Sequence, residues 1–199
     1  MAVFIIPLVE GPSEVESVPV LFRRIISGLE AYQVKVAKPF RVKRNRVVKE
    51  GEIERAVRQA IRTRNNPGGI FILLDADDDC PKELSAALWA RCKNETTLPV
   101  SVILAKKEFE SWLLGAKESL RGMRGIKPDA VSPTNPENIR GAKELISNNM
   151  EALGYLEVDD QPAFAEKMDL SLAQKRCPSF DKFLRETKKM ILELENLSG

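Results

Sequence analysis

The chain has 199 residues, 43% apolar and 30% charged, and its 31 Lys and Arg against 29 Asp and Glu leave a net charge of +2. That suits one soluble domain, or one domain with a helical extension, and not a uniformly basic nucleic-acid binder. The sequence contains no histidine. This excludes Ser-His-Asp and Cys-His catalysis, His general bases and His-ligated zinc, so a metal would sit in carboxylates, which favours magnesium, manganese or calcium.

The apolar run Val3 to Val9 ends at Glu10-Gly11-Pro12 and reads as a buried strand with its turn. Interrupted by Pro7 and short, it has neither the length of a membrane span nor the layout of a signal peptide. Ser13 with Glu16 is spaced as a capping box for a helix carrying Leu21, Ile25, Ile26 and Leu29, which Pro19 either kinks or starts late. A second strand is expected around 32–37, then an amphipathic helix with Ile53, Ala56, Val57, Ala60 and Ile61 on one face. Asn65 to Gly69 reads as a turn feeding the strand Ile70 to Leu74, which ends in Asp75-Ala76-Asp77-Asp78-Asp79. Pro81 opens the next helix, with Asp79 expected to cap it and Asp78 to face solvent. Val100 to Ala105 is a further strand, followed by a short helix from about Glu108 to Gly115.

Beyond residue 122 the pattern changes to a loop with Pro128, Pro133 and Pro136, then helices near 139–153, 162–176 and 179–197. In the last, Phe180, Leu184, Thr187, Ile191 and Leu194 form a stripe expected to face the core. The chain is thus expected to be α/β, with a parallel sheet in residues 1–122 and a helical extension in 123–199 packed on it. Cys80, Cys92 and Cys177 lack metal-binding spacing and read as free thiols of a reducing, cytoplasmic compartment.

Three of the expected strands end in acids: Glu10 after the first, Asp75 and Asp77 after the third, Glu108 and Glu110 after the fourth. Ligands bind at the carboxyl ends of strands in open parallel sheets. In extended chain Asp75 and Asp77 point to one side, and a hard divalent cation needs such convergent oxygens. By themselves Asp-rich turns also serve as solvated loops or caps, and Glu14 and Glu16 suit the first turn of a helix.

Glu-Gly-Pro-Ser-Glu after the first strand and Asp-Ala-Asp after a later one resemble the Toprim domain of topoisomerases, primases and overcoming-lysogenization-defect nucleases. With Glu108-Phe109-Glu110-Ser111-Trp112, Asp160-Gln161-Pro162 and Pro178-Ser179-Phe180-Asp181-Lys182, nearly the whole chain resembles a prokaryotic Toprim-like family of unknown function, often encoded beside AAA-type ATPases. The resemblance implies a Toprim-like, Rossmann-type core that binds Mg2+ or Mn2+. Glu10, Asp75 and Asp77 match the Toprim acids, Glu108 and Glu110 the further acidic motif of the nucleases, and Glu14 a second acid of Glu-Gly-x-x-Glu. Lys143, within Arg140-Gly141-Ala142-Lys143, matches their downstream lysine, though alone it reads as an exposed helix lysine. The implied activity is metal-dependent phosphodiester cleavage, with Glu10, Asp75, Asp77 and Lys143 catalytic, in an ATPase-coupled anti-phage system. The alternative is a non-catalytic interaction or nucleotide-binding module.

The one marked charge asymmetry is residues 38–49, with Lys38, Arg41, Lys43, Arg44, Arg46, Lys49 and no acid. It is the expected contact to the phosphates of DNA or RNA, and otherwise a charge-protected loop or edge strand.

Overall fold

The computed structural model describes residues 2–151 and 154–198. At the centre of a parallel sheet lies β1 (Val3–Val9). One of its edges pairs with β2 (Val34–Val36) and then with β3 (Phe40–Arg41). The other pairs with β4 (Pro67–Asp75), which pairs in turn with β5 (Val100–Ala105), so the order is β2-β1-β4-β5. Helix α1 (Pro12–Gly28) links β1 to β2; α2 (Arg44–Val47) and α3 (Glu52–Arg62) lead from β3 to β4; α4 (Pro81–Lys93) links β4 to β5. Then come α5 (Glu110–Gly115), α6 (Ala142–Asn148), α7 (Glu157–Lys167), α8 (Leu170–Arg176) and α9 (Pro178–Ser198).

Strand parity divides the core. Ile5, Val9, Phe71, Leu73, Ile103 and Ala105 face α1 and the C-terminal helices, whereas Ile6, Leu8, Ile72, Leu74, Val102 and Leu104 face α3 and α4. Strands covered on both faces are apolar throughout, which is why these runs were continuous rather than alternating. On the first face Phe22 of α1 meets Phe71 edge-on at 4.9 Å, and Phe183 of α9 stands 5.7 and 5.6 Å from the two rings. The expected stripe of α9 is buried from Phe180 to Leu194, so the C-terminal helices share one core with α1 and the sheet.

Several local expectations are corrected. β4 begins at Pro67, because Gly68 and Gly69 are strand residues: a Cβ at Gly68 would stand 2.4 Å from Val3 Cγ2, and one at Gly69 2.9 Å from Met190 Sδ. Pro19 lies inside an uninterrupted α1, whose N-cap is Gly11; Ser13 does not cap it. Asp79 does not cap α4; Cys80 stands at that N-cap, and Asp79 pairs with Arg44. The helix expected over 162–176 is two helices, α7 starting five residues before Pro162 and α8 restarted by Asp169, whose carboxylate accepts from the N–H groups of Ser171 and Leu172. The helix expected over 139–153 is confined to Ala142–Asn148, and positions 152 and 153 lie outside the described residues. The cysteines are free thiols, Cys92 and Cys177 buried. Among the described residues no helix is long and apolar enough to cross a membrane.

Candidate functional site

From β1 the chain passes to α1 on one face of the sheet; from β4 it passes to α4 on the other. Neighbouring parallel strands whose connections leave in opposite directions open a crevice at their carboxyl ends. Val9 registers with Leu73, so Glu10 and Asp75 flank that crevice. By parity Asp75 shares the side of Phe71 and Leu73, facing α1. Its Oδ1 accepts the Phe109 N–H at 2.9 Å, which brings the start of α5, and Glu110, beside it. Glu14 closes the group from the first turn of α1. A Cβ at residue 11 would stand 2.2 Å from Glu14 Oε2, so only glycine there leaves the carboxyl where it lies.

Glu110 is completely buried. Its Oε1 accepts from Tyr155 Oη at 3.0 Å and from Gln161 Nε2 at 3.1 Å. Gln161 is oriented in turn by Ser17 of α1, whose Oγ lies 2.6 Å from Oε1 of the amide. Lys143 Nζ stands 3.9 Å from Glu110 and donates to Glu157 Oε2 at 2.7 Å; Glu157 Oε1 accepts from Ser13 Oγ at 2.6 Å. The second oxygens of Glu10 and Glu110, Oε2 in both, are buried and have no hydrogen-bond partner.

The electrostatics follow from this crowding. Burial, then the charges of Glu110, Glu14 and Glu10, raise the Asp75 carboxyl well above its ordinary range. Burial first, then Asp77, raises Glu10; burial raises Glu14; burial takes Glu110 up to about 7, against the pull of Lys143. Burial also opposes the charge of Lys143, but Glu110 and Glu157 outweigh it and hold the ammonium above the lysine range. The crevice therefore carries more carboxylates than one lysine can compensate, and it must take up protons or a cation. Among the described residues no group of three Asp, Glu or Cys side chains is arranged to hold a metal ion as it stands. What suits the acids to one is the oxygen donor set and the two unpartnered buried oxygens.

The structure thus gathers Glu10, Glu14, Asp75, Glu110 and Lys143 at one place. It corrects Asp77: the chain is not extended there but left-handed (φ 51°), and the side chain is exposed at the rim, 3.8 Å from Arg44. Glu108 is turned elsewhere, its Oε1 accepting the Gly141 N–H at 3.0 Å ahead of α6. Asp78 is exposed as expected, paired with Lys107 and Arg140. Of the basic segment, Arg41 sits in β3 and donates through Nε to the Glu10 carbonyl at 3.0 Å; Arg44 pairs with Asp77 and Asp79. Arg41, Lys43 and Arg46 line a shallow groove with Phe40 and Arg55, while Lys38 and Lys49 are exposed. Tyr155, Glu157 and Gln161 were not foreseen as site residues; the Asp160-Gln161-Pro162 string was the only trace of them in the sequence.

The chain belongs to the family described as Domain of unknown function (DUF4276), whose model matches residues 9–187 and so spans every residue of the crevice. No curated protein and no solved structure matches it.

Proposed function

We propose that this protein is a Mg2+- or Mn2+-dependent phosphodiester-cleaving enzyme of Toprim type, acting on DNA or RNA and working with an AAA-type ATPase in anti-phage defence. The observation that carries the reading is the pair of unpartnered buried oxygens, Glu10 Oε2 and Glu110 Oε2, on the two acids whose charges both bear on Asp75. Buried carboxylate oxygens without donors are costly unless something positive meets them. The Toprim resemblance of Glu10, Asp75 and Asp77 supplies the class of chemistry.

Glu10, Asp75 and Glu110 would hold the cation from the floor of the crevice, with Glu14 beside them and Asp77 at the rim. A hard divalent cation, when bound, activates water and polarises a phosphoryl oxygen. Tyr155 and Gln161 fix one oxygen of Glu110 and leave the other free for a ligand. Lys143, placed 3.9 Å from Glu110, brings positive charge to where a phosphate would gain negative charge. Arg41, Lys43 and Arg46 would seat the flanking phosphates.

The test is a cleavage assay with manganese and magnesium on single- and double-stranded DNA and RNA, with and without the ATPase and ATP. The expected result is cation-dependent cleavage that Asp77→Ala abolishes, with Lys143→Ala lowering turnover more than affinity. Cation binding without cleavage under any condition would favour the interaction or nucleotide-binding module instead. For duplex DNA, engagement of all six basic side chains of residues 38–49 implies a log affinity against log salt slope of about −5. Reversing Lys43 and Arg46, which make no ion pair with the acidic turn, should flatten that slope by about 2. An unchanged slope would return the segment to a solvated loop.

A further inference from the structure

β5 ends the sheet on its side. Beside its first half a groove runs between α4 and α9, lined by Trp89 on α4, Ser101 on β5, and Lys182, Glu186, Lys189 and Glu193 on α9. Trp89 is 47% exposed although its indole N–H donates to the Val100 carbonyl at 3.0 Å, so one edge of the ring is anchored and its face is open. Large exposed aromatic faces of this kind are a mark of protein interfaces.

The four α9 residues follow at i, i+4, i+7 and i+11, which at about 100° per residue confines them to a stripe about 60° wide. Their charges read plus, minus, plus, minus. The helix could close Lys182 with Glu186 and Lys189 with Glu193 internally, but lysine N-terminal to glutamate is the weaker order. Among the described residues neither pair is formed; Glu186 lies 3.4 Å from Ser101 Oγ, while the adjoining Asp181–Arg185 pair, acid first, is closed at 2.8 Å. The stripe is self-complementary when reversed. A two-fold axis between Thr187 and Lys188 sets Lys182 opposite Glu193 of a second copy and Glu186 opposite its Lys189, and symmetry makes each pair twice. In a parallel arrangement like charges would meet.

We infer that this groove is where a second copy of the chain docks, with the two α9 helices antiparallel across a two-fold axis and the Trp89 rings within the covered area. The near balance of charge, Lys93, Lys182 and Lys189 against Glu186 and Glu193, fits a copy of the same surface better than a polyanion or an acidic peptide. The groove flanks the start of β5, whereas the carboxylates stand at the ends of β1 and β4, so the pairing leaves the crevice open. The inference does not depend on the proposed chemistry.

Sedimentation of the full chain tests it. The parent should show a monomer–dimer equilibrium that weakens with added salt. E186K/E193K makes the stripe all positive and K182E/K189E all negative; each should self-associate at least about tenfold more weakly. An equimolar mixture of the two should restore dimers of parental affinity, because the opposed stripes are complementary again; this also verifies that both variants are folded. A monomeric parent at its highest soluble concentration, a salt-insensitive dimer, or variants that dimerise as tightly as the parent would overturn the inference.

Discussion

With cations removed by a chelator, the protein should become less stable as pH rises from about 5.5 to about 8.5, with roughly 2 kcal/mol of the loss coming from Glu110. Burial raises the Glu110 carboxyl from 4.5 to about 7. The folded state then binds its proton more tightly than the unfolded chain, so protonation favours folding. The stability is fully present below the unfolded value and is lost as pH rises through the folded one. Asp75, Glu10 and Glu14 are raised too and act in the same direction. Carboxylates held low by arginine or capping bonds, such as Glu118 at about 2, lose their contribution only at more acid pH and leave this window unaffected. Urea denaturation across the window checks the trend, and Glu110→Gln should flatten it. A stability that rises with pH would mean that the acids are not crowded as described.

Asp75→Asn should abolish cation-dependent cleavage and weaken Mn2+ binding by at least about a hundredfold, more than the loss typical of a residue that only supports a ligand. Asparagine keeps an oxygen for the Phe109 N–H but removes the charge repelled by Glu110, Glu14 and Glu10. The chelated variant should therefore melt a few degrees higher than the parent at alkaline pH, since about 1 kcal/mol moves a chain of this size by about 2–4 °C. Loss of activity together with a gain in stability separates a functional acid from a structural one. A variant that is less stable and still cleaves would assign Asp75 to the fold.

The fold was legible where both faces of a strand are covered. β1, β4 and β5 carry apolar runs, and those of β1 and β4 stop at an acid, so Glu10 and Asp75 stood out as strand-end acids, although the glycines at the start of β4 hid its first residues. The same logic missed β3, two residues long and embedded in the basic segment, because so short a pairing leaves no periodicity. The helix expected from residue 162 begins instead at Glu157 and carries Pro162 inside it, tolerating the lost N–H. Asp77 was assigned by extended-strand parity; the chain turns left-handed there, where parity no longer applies. Glu157 and Gln161 reach the site through tertiary packing of α7 against α1, and Tyr155 from the segment just before α7 through its bond to Glu110; no local spacing encodes such contacts. Lys143 was found only through resemblance, since its one-turn neighbours are those of any exposed helix.

The most direct measurement is calorimetric titration of the chelator-treated protein with Mn2+ near pH 6.5, repeated in two buffers of different ionisation enthalpy. If the cation displaces protons from the buried acids around Asp75, binding will saturate and release protons, the release will diminish at pH 8.5, and Glu110→Gln will reduce it. Absence of saturable binding, or binding without proton release that Asp75→Asn leaves intact, would contradict a cation site in this crevice.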